Sequence, residues 1–214
     1  MTEEKTGDQD LLQNVQRYFI DTLTSHGPTP RGVDWNSPEA QESRFEQLLK
    51  VCRTDAPFSI TDYGCGYGSL VDYLRRHQLH CRYTGFDMVE QMIAQARELY
   101  GQLPDCTFTS VEAALIPADY TVASGIFNMK LDVQAGDWTE YVLRTLDSFD
   151  RLSRYGFSFN LLTSYADPER MRTDLYYADP CFYFDQCKRR YARNVALLHD
   201  YGTYDFTIIV RKEC

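Results

Sequence analysis

A glycine-rich turn followed by an acidic residue is the part of this sequence best suited to chemistry. The stretch Asp62-Tyr63-Gly64-Cys65-Gly66-Tyr67-Gly68 lies between an apolar run and a helical pattern. Glycines let the backbone turn sharply and approach a ligand closely, and the N–H groups of a following helix favour an anion. Asp87 ends the next apolar run, where a carboxylate can accept hydrogen bonds from a ribose diol. Together these features predict a nucleoside-binding site.

The spacing of the glycines bears on which nucleoside is bound. The NAD fingerprint is G-x-G-x-x-G/A, whereas here glycines stand at 64, 66 and 68 and position 69 is Ser69. The leading Asp62 is also unusual for a dinucleotide site. An NAD-dependent oxidoreductase is therefore disfavoured, although the spacing alone leaves it open.

Four elements of the sequence resemble one family. The motif Asp62-x-Gly64-x-Gly66-x-Gly68 resembles motif I of the class I S-adenosylmethionine-dependent methyltransferases, and Asp87 matches their ribose-binding acid. Residues 112–117 are similar to the element that borders the adenine, with Glu112 where aspartate is usual, and residues 119–128 are similar to the fourth strand and its turn. The resemblance implies S-adenosyl-L-methionine as cofactor, with contacts at Asp62, Gly64, Cys65, Gly66, Gly68, Asp87, Met88, Val111, Glu112, Ser124 and Gly125.

Structural roles are the alternatives at these positions. A glycine turn can be a plain loop, Asp87 can cap the helix that follows it, and Glu112 can be an ordinary exposed acid. One carboxylate oxygen of Asp87 could serve as a cap while the other binds the ribose.

Methyl transfer from a sulfonium is an in-line displacement, so alignment and exclusion of water can supply most of the catalysis. For that reason we assign no catalytic residue. The expected acceptor is a small organic molecule held between the segment around Trp35 and the aromatic stretch 176–184. Each candidate for contact with it could equally be packing or solvated surface; the candidates are Trp35, Arg44, Phe127, Tyr165, Tyr176 and Tyr177.

The elements that must position these residues follow a β-α alternation. Such spacing predicts βαβ units and a parallel sheet. Near the end of the chain, Gly202-Thr203 alone separates two extended runs, which must then be antiparallel.

We predict a Rossmann-like α/β methyltransferase fold: a mostly parallel seven-stranded sheet, a C-terminal antiparallel hairpin and helices on both faces. Residues 1–57 form a helical cap within the same domain, and 58–214 form the cofactor-binding core. The predicted strands are 58–63, 82–86, 106–109, 120–126, 156–162, 194–201 and 204–210; the predicted helices are 11–23, 37–52, 69–77, 89–100, 138–152 and 180–191.

Composition narrows the function further. The 214-residue chain has a net charge of -9, which disfavours nucleic-acid and anionic-membrane binding. The turn Ser124-Gly125-Ile126-Phe127 also lacks the Asn/Asp-Pro-Pro-aromatic pattern of enzymes that methylate nucleic-acid bases. Seven cysteines without a CxxC pair predict reduced thiols, a cytoplasmic location and no metal site. A protein methyltransferase and a non-catalytic cofactor-binding module remain alternatives, and the oligomeric state is not predicted.

Overall fold

The computed structural model describes residues 3–35 and 37–212, with side chains from Leu12 onward. In this part of the chain, six helices and eight strands follow one another. The helices are α1 (Glu3–His26), α2 (Pro38–Leu49), α3 (Ser69–Arg76), α4 (Glu90–Tyr100), α5 (Ala135–Leu152) and α6 (Pro180–Arg190). The strands are β1 (Phe58–Tyr63), β2 (Cys81–Phe86), β3 (Cys106–Thr109), β4 (Ala118–Ala123), β5 (Ser153–Thr163), β6 (Tyr177–Ala178), β7 (Asn194–Leu198) and β8 (Asp205–Arg211).

Seven of the strands form the predicted sheet, in the order β3-β2-β1-β4-β5-β8-β7. The first five run parallel, and β8 is antiparallel to both β5 and β7. The mostly parallel sheet with its C-terminal hairpin is thus confirmed. Strand order reverses between β1 and β4, and in open α/β sheets the ligand crevice lies outside the carboxyl ends of the strands at such a point.

Helices cover both faces of the sheet, as predicted. Neighbouring residues of a strand point to opposite faces, and Ile208 and Ile209 belong to two different cores. One core contains the apolar side of α5, including Trp138 and Phe149. The other contains residues of α2, α3 and α4, such as Leu48.

The strand and helix boundaries differ from the predictions at several ends. Strand β4 ends at Ala123 because Gly125 turns the chain with a positive φ of 73°. Strand β5 extends to Thr163, and there it pairs with the two-residue strand β6, which the sequence did not predict. The hairpin turn spans residues 199–204 rather than two residues, since β7 ends at Leu198.

The N-terminal segment packs onto the sheet domain. Val15 of α1 joins the core that contains α5, and Leu23 packs with Val89 and Met92 at the start of α4. A short 3-10 turn, Pro30–Val33, follows α1. Helix α2 begins where the sequence predicts it, with the Ser37 hydroxyl accepting a hydrogen bond from the Ala40 amide at 3.2 Å. This segment therefore lies beside the carboxyl ends of the central strands.

Within the described residues, no helix is long and apolar enough to cross a bilayer, and no group of His, Cys, Asp and Glu side chains could hold a metal ion. The six cysteines between Cys52 and Cys187 are free thiols. The seventh, Cys214, lies outside the described residues.

Candidate functional site

A cavity opens at the carboxyl ends of β1 and β2, beside the reversal of strand order. Its empty volume is about 890 Å³, including space that is open to solvent. One side is the glycine turn, Gly64 to Gly66, together with Asp62 and Asp87. The opposite side is apolar and comes largely from the N-terminal segment; it includes Leu12, Val15, Phe19 and Val33. We call this space the first cavity.

The glycine turn takes a backbone shape that side chains would disturb. Gly64, Gly66 and Gly68 have φ values of 81°, 55° and 87°, the left-handed region that glycine adopts without steric cost. A Cβ atom on Gly66 would lie 2.9 Å from Val33 Cγ1, so the 3-10 turn closes directly over this residue. Gly68, at the start of α3, instead packs against the rings of Tyr100 and Phe108 and does not line the cavity.

Asp87 fixes the turn as well as facing the cavity. Its Oδ2 accepts a hydrogen bond from the Gly66 amide and its Oδ1 accepts one from the Val89 amide, both at 2.9 Å. Burial raises the pKa of Asp87 to about 6, although the two amide donors oppose that rise. Helix α4 begins after Val89 and has no side-chain cap, so Asp87 holds the turn before the helix and does not take the capping role considered from the sequence. Each carboxylate oxygen can accept a second bond, so these two bonds do not prevent contact with a ligand.

Asp62 is the second carboxylate in the first cavity. It is buried at the end of β1, where its Oδ2 accepts a hydrogen bond from the Tyr83 hydroxyl at 2.7 Å. Burial raises the pKa of Asp62 to about 7, and the nearby Asp87 adds to that rise. The buried Ser124 hydroxyl also lines the first cavity, and it has no hydrogen-bond partner among the described residues.

A second cavity adjoins the first on the side of β4 and β5. Its empty volume is about 710 Å³. It is lined by Phe19 of α1, residues 33–35, Ala40 and Arg44 of α2, Leu162 of β5, the turn after β4 with Gly125 and Asn128, and the segment with Arg172 and Leu175. The last two segments are joined, because Tyr176 donates its amide to the Asn128 carbonyl at 2.8 Å and Met129 bridges to Leu175.

A buried polar chain connects the walls of the second cavity. The Gly125 amide donates to Asn160 Oδ1 at 2.8 Å, and Asn160 Nδ2 donates to Asp205 Oδ1 at 3.0 Å. Asp205 Oδ2 in turn accepts from the Arg44 guanidinium, which also donates to the Ala40 carbonyl. Sequence reasoning missed Asn160 and Asp205, and neither has a neighbouring residue that marks it as part of a motif.

Most of the predicted cofactor residues gather at the first cavity. Its lining contains Asp62, Gly64, Cys65, Gly66, Asp87, Met88, Ser124 and Gly125. Val111 and Glu112 do not line it; both are exposed in the connection after β3. Their contact with the adenine stays a prediction.

The predicted substrate residues divide into two groups. Trp35 lines both cavities and Arg44 lines the second, but Arg44 already pairs with Asp205 instead of presenting a free fork for a substrate carboxylate. The other four do not line either cavity. Phe127 is fully buried in the core, and Tyr176 is buried with its hydroxyl 2.8 Å from that of Tyr183. The Tyr177 hydroxyl accepts a hydrogen bond from the Arg172 amide. Tyr165 is 72% exposed. The aromatic stretch 176–184 is thus mainly packing, and residues 172–175 take its place as a wall.

Comparison with known proteins identifies the family of this chain. A methyltransferase domain family model matches residues 60–153. The chain is 49% identical over 164 residues to a Mycobacterium tuberculosis protein, Rv1506c, whose name assigns it to the methyltransferases without stating a substrate; the match covers 77% of this chain and 99% of that protein.

Solved structures show the same fold at low identity. The N-methyltransferase NodS from Bradyrhizobium japonicum, in complex with S-adenosylhomocysteine, has a TM-score of 0.67 at 14% identity, covering 94% of this chain and all of that one. The magnesium protoporphyrin IX methyltransferase from Synechocystis, also with S-adenosylhomocysteine, has a TM-score of 0.58 at 14% identity, covering 82% of each chain.

Proposed function

This chain belongs to the class I S-adenosylmethionine-dependent methyltransferase family, and we propose that it methylates a small organic acceptor bound in the second cavity. The observation that carries the proposal is the adjacency of the two cavities. Phe19, Val33, Trp35 and Gly125 line both of them. A cofactor in the first cavity and an acceptor in the second would then meet across this shared wall.

The first cavity fits the family's cofactor in its chemistry. Asp87 and Asp62 are carboxylates suited to hydroxyl or ammonium donors, and the unpartnered Ser124 hydroxyl can take or give a hydrogen bond. Apolar side chains such as Met88 and Met92 suit the flat face of a purine. We propose that Asp62, Asp87, Ser124 and the glycine turn hold S-adenosylmethionine. When bound, this cofactor would supply the methyl group of its sulfonium to the acceptor, and its sulfur would be left as a neutral thioether.

The chain's own contribution is to orient the acceptor and exclude water. The apolar part of the second cavity, including Met129, Leu162 and Leu175, suits a hydrocarbon or ring portion of an acceptor. Its polar groups include Asp34, Asn128 and Arg172, the last of which also pairs with Asp174; such groups suit a hydrogen-bonding substituent. Because several segments of the chain surround the second cavity, it favours a compact acceptor over an extended polypeptide. The free cysteines also support our proposal of a cytoplasmic location.

Two measurements test the proposal. In the first, calorimetric titration with S-adenosylhomocysteine and NAD should give heat with the former only. Gly66→Ala should weaken this binding because its Cβ would press on Val33, whereas Gly27→Ala should not. Gly27 has a similar φ of 66° but nothing within 4 Å of an added Cβ.

The second measurement is methyl transfer from S-adenosylmethionine to a metabolite panel, with basic peptides and nucleic acids tested in parallel. Transfer to a small molecule supports the proposal. Transfer to peptide alone would indicate a protein methyltransferase, and cofactor binding without transfer to any class would indicate a non-catalytic binding module.

A further inference from the structure

Resting on this proposed function, we infer that the Trp35 indole is the partition between cofactor and acceptor, and that it determines which acceptors reach the methyl group. Trp35 is the largest of the four residues that line both cavities. It is only partly buried, as expected for a side chain that faces open space.

The indole is held from two sides. Its edge lies on Gly125, where an added Cβ would be only 2.4 Å from Trp35 Cζ2. One face lies under the Arg44 guanidinium, whose Cζ is 4.2 Å from the ring centroid, within the range of a cation–π contact. The Trp35 amide donates to the Pro30 carbonyl at 2.8 Å, which fixes the backbone as well.

The same buried chain positions both of these supports. Asn160 accepts the Gly125 amide and donates to Asp205, and Asp205 holds Arg44. Arg44 is itself buried, and its Nε has no hydrogen-bond partner among the described residues. The guanidinium therefore donates hydrogen bonds to Asp205 and Ala40, and its flat face lies against the indole. Gly125, Asn160, Asp205 and Arg44 form a frame around Trp35.

A frame of this kind sets the position of the indole before either ligand binds. The size of the side chain at position 35 then sets the width of the opening between the cavities. A smaller side chain would join the two spaces, admitting bulkier acceptors while aligning compact ones less well. Trp35 is thus a specificity-determining residue, whereas Arg44, Asp205 and Asn160 are positioning residues.

Fluorescence provides a direct test, because the chain has two tryptophans. Trp138 is fully buried in the core and donates its indole N–H to the Phe127 carbonyl at 2.8 Å. The variant Trp138→Phe reports on Trp35 alone, and Trp35→Phe reports on Trp138 alone. We expect S-adenosylhomocysteine to change the emission of Trp138→Phe and to leave that of Trp35→Phe nearly unchanged.

The acceptor side is tested by turnover on the metabolite panel. Relative to Trp138→Phe, the variant Trp35→Ala should raise the KM for the preferred compact acceptor about tenfold, the loss expected for a good aromatic contact. Trp35→Ala should also transfer methyl groups to larger members of the panel that the wild type rejects. The KM and the acceptor range of Trp35→Phe should lie between those of the wild type and Trp35→Ala.

The outcomes separate this inference from the proposed function. Calorimetric binding of S-adenosylhomocysteine without any change in Trp35 emission would overturn the partition and leave the cofactor site intact. An unchanged acceptor profile in Trp35→Ala would overturn the specificity role alone. Absence of methyl transfer in every variant would remove both proposals.

Discussion

Removing Arg44 should destabilise the protein more than removing any exposed arginine. The Arg44→Met variant leaves the Asp205 carboxylate fully buried with Asn160 as its remaining side-chain partner. Breaking a buried ion pair from one side costs about 3–5 kcal/mol, because the remaining charge has lost both water and counter-ion. For a chain of this length that corresponds to a fall in Tm of about 6–20 °C.

A second substitution tests the cause of this loss. In Arg44→Met/Asp205→Asn no charge remains buried, and the amide at position 205 can still accept from Asn160. We expect the double variant to recover more than half of the lost free energy of unfolding, since pairs replaced by neutral groups are often nearly neutral in stability. The matched control is Arg76→Met. Its pair with Glu42 is exposed to solvent, and such pairs contribute little.

Urea unfolding followed by circular dichroism measures all three variants. Equal losses for Arg44→Met and Arg76→Met would refute the argument that burial makes the Arg44 pair important. A double variant as unstable as Arg44→Met would show that lost packing, not the unpaired carboxylate, is responsible.

Three further predictions concern the first cavity and its wall. Asp87→Ala should weaken binding of S-adenosylhomocysteine about tenfold or more by calorimetry, through lost charge-assisted hydrogen bonds and a loosened glycine turn; unchanged affinity would limit Asp87 to holding the turn. Gly125→Ala should lose more stability in urea than Gly202→Ala, because both glycines have φ near 73° but only the first would clash with the indole; equal losses would contradict that contact. The folded-state pKa of Asp62 is raised from 3.8 to about 7, so the folded protein holds a proton that the unfolded chain loses, and stability should fall as pH rises between about 4 and 7. Asp62→Asn should reduce this loss of stability with pH. Tyr83→Phe removes a hydrogen bond that lowers the Asp62 pKa, so the loss should continue to higher pH. If neither variant alters the pH dependence of stability, Asp62 is not its source.

Local signals in the sequence predicted most of the fold and much of the first cavity. Strand β1 matches its predicted bounds and α3 differs by one residue, because apolar runs and the glycine turn mark their ends within a few positions. The first cavity follows from the same motif, since a glycine turn and an acid after the next strand must lie side by side in a parallel sheet. Trp35 was a predicted substrate residue, and the structure places it at both cavities; its contact with an acceptor stays a prediction.

Long-range partners explain what sequence reasoning missed. Asn160 and Asp205 lie inside strands whose patterns predict only burial, and their roles depend on each other and on Arg44. Aromatic content cannot distinguish a pocket from a core, and Tyr176 shows this clearly: its hydroxyl bonds to Thr139 and Tyr183 within the packing of α5 and α6. Strand β6 is too short to produce any periodic pattern.

The contact between Arg44 and Asp205 has a consequence for how the chain is made. The two residues are separated by 161 positions, and Asp205 lies in the last strand. During synthesis, the glycine turn and strands β1 to β4 leave the ribosome well before β8 does. The frame around Trp35 can close only after β8 has inserted between β5 and β7, so loop closure of this length comes late in folding. A nascent chain can therefore build the first cavity early, but it completes the acceptor side only after β8 has been synthesised.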